Sequence, residues 1–135
     1  MEFLKPELSD ANPYKIEKHR YYELKHFCLQ YPEWKKELDS QSYISSPSIT
    51  EFSRYDIFKP VESIAERTER LHKNITLVEK AASLTDDILA PYVLRHVTQG
   101  LTYEKLNALC RIPCNREYYY RLYRRFFWIL SMLKN

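Results

Sequence analysis

The residues whose types and spacing could do chemistry sit at the C-terminal end of the chain and are mostly basic. From Cys110 to Asn135 the chain carries Arg111, Arg116, Arg121, Arg124, Arg125 and Lys134 against a single acid, Glu117. That local balance of +5, against +3 for all 135 residues, leaves the rest of the sequence slightly acidic. A basic end on an acidic body is the distribution expected of a chain that meets a polyanion at one end. Within this stretch Tyr119, Leu122, Phe126, Ile129 and Leu133 alternate steps of three and four, the period of a helix with one apolar face. Arg121, Arg124 and Arg125 fall off that face, where guanidinium groups can meet phosphate oxygens. Asn115, Arg116, Glu117 and Tyr120, at or near the helix start, carry amide, guanidinium, carboxylate and phenol groups able to read base edges.

The elements that must position such a helix are legible upstream. Asn115 is a natural N-cap for it, and Ile112 and Pro113 break the chain just before. A short helix from Tyr103 to about Cys110 is predicted, capped by Thr102. Gly100, the only glycine, suits the C-cap of a preceding helix that starts at Thr85, with Asp86 and Asp87 in its first turn. A short helix, a tight turn and a longer basic helix make a helix-turn-helix, in which the second helix enters the major groove.

Further upstream, Val61, Ile64, Thr68, Leu71, Ile75, Val78 and Ala82 form three heptads of an a/d seam after Pro60, about 33 Å of helix. Two partners fit that seam: another helix of the same chain, or a second copy, in which case Val61, Ile64, Leu71, Ile75 and Val78 are the self-association residues of a homodimer. The segment 39–59 holds six serines and no sustained period, and reads as a linker or irregular arm with apolar residues that dock. Asn12 and Pro13 suggest the start of an N-terminal helix that Pro32 ends or kinks before a further turn to Leu38. Its basic stretch, Lys15, Lys18, His19 and Arg20, suits either phosphate contact or a solvated face. The expected organisation is a helical segment over 1–38, the linker over 39–59, and a long helix plus helix-turn-helix over 60–135. The fold class is all-α: a helical bundle with a long central helix.

Composition narrows the functions. One glycine leaves no material for phosphate-cradling loops or nucleophile elbows, which need positive φ. Cys28, Cys110 and Cys114 are an odd number of cysteines without zinc spacing, and His19, His26, His72 and His96 are scattered singly. Reduced thiols, no metal and no cofactor are expected. The acidic pairs Glu33 with Glu37, Glu66 with Glu69, and Asp86 with Asp87 lack a histidine partner, so no enzyme is expected. No apolar run of membrane-spanning length and no signal-like start occur, which points to the cytoplasm and to no membrane partner.

The order of features resembles phage late-gene transcription activators of the RinA and ArpU type. The resemblance rests on "CLQYPEWKKEL" (Cys28 to Leu38), the serine-rich linker, the long "VESIAERTERLHKNITLVEKA" helix and a closing "IPCNREYYYRLYRRFFWIL" like the helix-turn-helix of sigma-factor region four. It implies a cytoplasmic, phage-encoded regulator in a bacterial host that binds double-stranded DNA near a promoter and contacts RNA polymerase or another host protein. Its recognition helix is unusually rich in aromatic residues for that role, and such residues also make protein interfaces. Two other functions suit the same features: a phage protein that binds and inhibits a bacterial defence nuclease or other host protein, and the small subunit of a DNA-packaging motor.

Overall fold

The computed structural model describes residues 12–43 and 63–134. Among them are six helices and no strand: α1 (Lys18–Leu29), α2 (Tyr31–Tyr43), α3 (Ile64–Thr85), α4 (Ala90–Gln99), α5 (Tyr103–Cys110) and α6 (Arg116–Leu133). The fold is all-α, as composition and periodicity predict.

The long helix α3 begins where a hydroxyl and a glutamate are correctly spaced. Ser63 accepts a hydrogen bond from the Glu66 N–H at 3.1 Å, and no glycine or proline interrupts the 22 residues that follow. Its apolar stripe lies along α6, with α2 and α4 packed on its flanks. Leu71, Ile75, Val78, Ala81 and Ala82 are buried there, and the two alanines leave room for close approach. The heptad seam, where it is described, is covered from within the chain. Leu71, Ile75 and Val78 are buried in the chain's own core, so the seam has the first of its two expected partners, another helix of the same chain. Ile64, the first residue of the helix, is exposed, and Val61 lies outside the described residues.

The N-terminal helices share that core, with α1 against α4 and α6, and α2 against α3. Lys35 and Tyr31 of α2 both reach Glu79 of α3, at 3.6 and 2.6 Å, and Arg67 of α3 pairs with Glu37 of α2. The helix α2 runs on to Tyr43, past the predicted boundary at residue 39; the rest of the predicted linker lies outside the described residues.

Two predicted helix starts move. The Asn12 side chain accepts from the Tyr14 N–H at 2.9 Å, a bond two residues on that makes a turn, not a helix cap. The helix waits for Glu17, whose carboxylate accepts from the Arg20 N–H. Thr85 closes α3 instead of opening α4, its hydroxyl donating to the Ala81 carbonyl at 2.7 Å. Asp86 then takes the N–H groups of Ile88 and Leu89, both at 2.9 Å, and α4 begins only at Ala90. Pro32 likewise sits in the first turn of α2, where its missing N–H costs nothing, and α1 has already ended at Leu29.

Candidate nucleic-acid interface

The approach to α6 is built from local caps. Gly100 closes α4 with φ +66°, its N–H donating to the His96 carbonyl at 3.2 Å, and a Cβ there would come within 3.2 Å of Leu29 Cδ2. Two residues later the Thr102 hydroxyl accepts from the Lys105 N–H and starts α5, which buries Tyr103 and Leu106. The turn from α5 to α6 is held by Asn107. Its carbonyl accepts from Arg111, which sits at φ +52°, and its side chain accepts from the Ile112 N–H at 2.9 Å. Ile112 is buried, and Asn115 then caps α6 by accepting from the Tyr118 N–H at 2.7 Å. Glu117 places a negative charge at the positive end of the helix dipole.

From Tyr119 onward α6 is a core helix on two sides. Tyr119, Leu122, Tyr123, Phe126, Phe127, Ile129 and Leu130 are all buried. Their rings continue into neighbouring helices, with Tyr103 5.3 Å from Tyr119 and Tyr21 5.1 Å from Phe127. His96 of α4 stacks on Tyr123 at 4.8 Å, and its Nδ1 lies 2.7 Å from the Tyr119 hydroxyl. Burial, with a smaller push from Lys25, lowers its pKa to about 4, while Glu104 and the Leu101 carbonyl pull the other way. His96 is therefore a neutral core side chain at physiological pH. The same burial drives the Tyr119 phenol and the Cys28 thiol well above their ordinary ranges.

The C-terminal end of α6 is fastened by Arg20 of α1, whose guanidinium donates to the carbonyls of Ser131 and Lys134 and to the Ser131 hydroxyl. Those carbonyls have no partner within their own helix, so an arginine predicted as a phosphate contact or a solvated charge serves as a cap across the fold.

The seven predicted DNA-contacting residues divide by exposure. Asn115, Arg116, Glu117 and Arg121 are exposed, whereas Tyr120, Arg124 and Arg125 are half-buried. Arg116 bonds Glu104 of α5 at 2.9 Å and lies over the rings of Tyr103 and Tyr120 at 5.3 and 5.5 Å. Tyr118 donates to Asp86 at 3.3 Å. The N–H groups of Leu89 and Ile88 hold the Asp86 carboxyl below its ordinary pKa, with help from Tyr118 and Arg125. This tie between the α3–α4 turn and the start of α6 is absent from the sequence reading, because 32 residues separate its members. Trp128, one of the aromatic residues of this helix, packs on Tyr14 at 5.4 Å.

Among the described residues no cluster of three or more His, Cys, Asp or Glu could hold a metal ion, and no helix is long and apolar enough to cross a membrane. Cys28, Cys110 and Cys114 are free thiols, and Cys110 Sγ accepts from Arg95 at 2.9 Å. A cavity of about 190 Å³ lies beside His96, lined also by Lys25, Leu29, Gly100, Tyr123 and Phe127. No protein-family model, curated protein or solved structure matches the chain.

Proposed function

We propose that this chain is a DNA-binding transcription regulator that works as a helix-turn-helix, with α5 as the supporting helix and α6 as the helix presented to the major groove. The observation that carries this reading is the division of α6. Its outer side offers Arg121, Arg124 and Arg125 beyond an exposed first turn that carries Arg116 and Glu117, while the remainder of the helix is fixed in the core. A helix held that way presents its N-terminal residues to bases and its shoulder arginines to phosphates without having to reorganise. The basic C-terminal segment from Cys110 supplies the sequence-independent attraction. No cofactor, metal or catalytic step enters the proposal, and the buried α3 seam supplies no dimer.

The test is fluorescence anisotropy of the full chain on random and promoter-derived duplexes over a range of salt. Replacing Arg121, Arg124 and Arg125 together by alanine is expected to flatten the dependence of log K on log salt by up to about 3 units. An unchanged slope removes those three from the phosphate contacts.

A protein partner is the second reading, and it too rests on an observation. Ile88 is 80% exposed and Leu84 50%, and Asp86 beside them accepts from both the Ile88 N–H and the Tyr118 hydroxyl. Exposed apolar side chains that join into one patch mark surfaces that meet other proteins. Absence of duplex binding at low salt, with retained helical structure, would favour it, and a host nuclease or RNA polymerase would be the first partner to try.

A further inference from the structure

The start of α6 offers more polar side chains than it leaves available. Asn115 Oδ1 is occupied by the Tyr118 N–H. The Tyr118 hydroxyl is tied back to Asp86. Tyr120 is half-buried among Tyr103, Tyr119 and Tyr123, with ring separations of 5.5 to 6.3 Å. Arg116 is gripped from α5 on two counts, the 2.9 Å ion pair with Glu104 and the face of Tyr103, and it leans on Tyr120 of its own helix. A guanidinium committed to a carboxylate and two rings braces the two helices against each other.

Of the charged side chains in the first turns, two remain outside these contacts. Glu117 and Arg121 are exposed and four residues apart, so they lie about 40° apart around the helix and about 6 Å apart along it. Among the described residues no ion pair joins them to each other or to a neighbour. They share the side of α6 opposite Tyr119 and Phe126, which face the core.

We infer that Glu117 and Arg121 are the pair that reads sequence, and that Arg116 is a positioning residue that sets the α5–α6 angle. This rests on the DNA-binding reading above, and it moves Arg121 from phosphate contact to base contact, which leaves Arg124 and Arg125 on phosphate and lowers the flattening expected of the triple alanine variant to about 2 units. The two side chains define their target. A guanidinium donates two parallel hydrogen bonds to O6 and N7 of guanine, and a carboxylate accepts from the N4 amine of cytosine. A rise of about 6 Å spans roughly two base steps, so the preferred duplex carries two G·C pairs next to each other or one apart in the major groove, one contributing its guanine edge and the other its cytosine edge.

The experiment is selection of bound duplexes from a randomised pool by the full chain and by Glu117→Gln, Arg121→Lys and Arg116→Lys. Anisotropy follows on the selected and random duplexes, with helical circular dichroism confirming that each variant is folded. Arg121→Lys keeps the charge and loses the two-point fit. It is expected to lose roughly 5- to 100-fold affinity for the selected duplex while leaving random-duplex binding and salt slope as they were. Glu117→Gln is expected to release the cytosine position and admit adenine, which a carboxamide can pair. Arg116→Lys is expected to weaken all duplexes alike without changing the selected sequence. Selection that yields no preferred sequence, or one unchanged by both Glu117→Gln and Arg121→Lys, overturns the inference and leaves DNA binding standing. A changed preference in Arg116→Lys also overturns it. Failure of the unaltered chain to bind any duplex at low salt removes the DNA-binding reading itself.

Discussion

The first two turns of α6 and the turns that follow draw on the same residue classes, arginine and aromatic rings, and use them in opposite ways. In residues 122–130 the rings Tyr123, Phe126 and Phe127 point into the body formed by α1, α3 and α4, and Arg124 and Arg125 are left on the shoulders. In residues 115–121 little of the helix is covered. An ion pair and ring contacts to α5, one hydroxyl bond to the α3–α4 turn and the burial of Tyr119 hold it. Exposed ion pairs contribute at most about 1 kcal/mol, whereas a buried aromatic side chain contributes several. Aromatic richness therefore marks core in one half of the helix and bracing in the other, and the surface left for a ligand is small and polar.

The largest effect that separates the halves is the loss of a core ring. Phe126 is fully buried, and Phe126→Ala is expected to cost about 3–5 kcal/mol in urea unfolding, while Arg121→Ala stays within about 0.5. Equal losses would mean that the start of α6 is as deeply integrated as its middle, which would break the comparison.

Acid should act through the core half. The folded pKa of His96, about 4, lies below its ordinary value of 6.5, so between those limits the unfolded chain binds a proton that the folded chain refuses. Stability is then full above about pH 6.5 and falls as pH drops toward 4, by up to about 3 kcal/mol. Unfolding midpoints measured from pH 7 to pH 4.5 should show that slope, and His96→Gln should flatten it. A slope that persists in the variant would place the acid sensitivity elsewhere.

Much of the fold was legible because its signals act over a few residues. Gly100, Thr102 and Asn115 cap the helices that their types predict, since each bond closes within four positions. Asn12 and Thr85 misled for the same reason in reverse. Both are good caps, but Glu17 caps α1 in place of Asn12, and Asp86 closes a turn between Thr85 and α4, which starts at Ala90 without a side-chain cap. The α3 seam was legible as a period, yet a period does not say what covers it, and α6 does. At the site, the exposure of Glu117 and Arg121 follows from the spacing of Tyr119, Leu122 and Phe126. The burial of Tyr123 and Phe127 does not, because it depends on α1 and α4 arriving on a second side of α6. Long-range ties such as Arg20 to the end of α6 leave no local trace.

The smallest expected effect sharpens the comparison most, because it touches the outer half alone. Asn115 accepts from the Tyr118 N–H at 2.7 Å, and Asn115→Ala leaves that donor facing water, for a loss of about 1 kcal/mol. Asn115→Asp should hold its own, since it keeps the acceptor and places a negative charge at the helix start. Hydrogen exchange should localise the alanine effect to the amides of residues 116–118, with those of residues 126–130 following only global unfolding. If the capping variant instead speeds exchange throughout α6, the helix opens as one unit. The exposed turn would then owe its shape to the core beneath it, not to its own cap and the Arg116 brace.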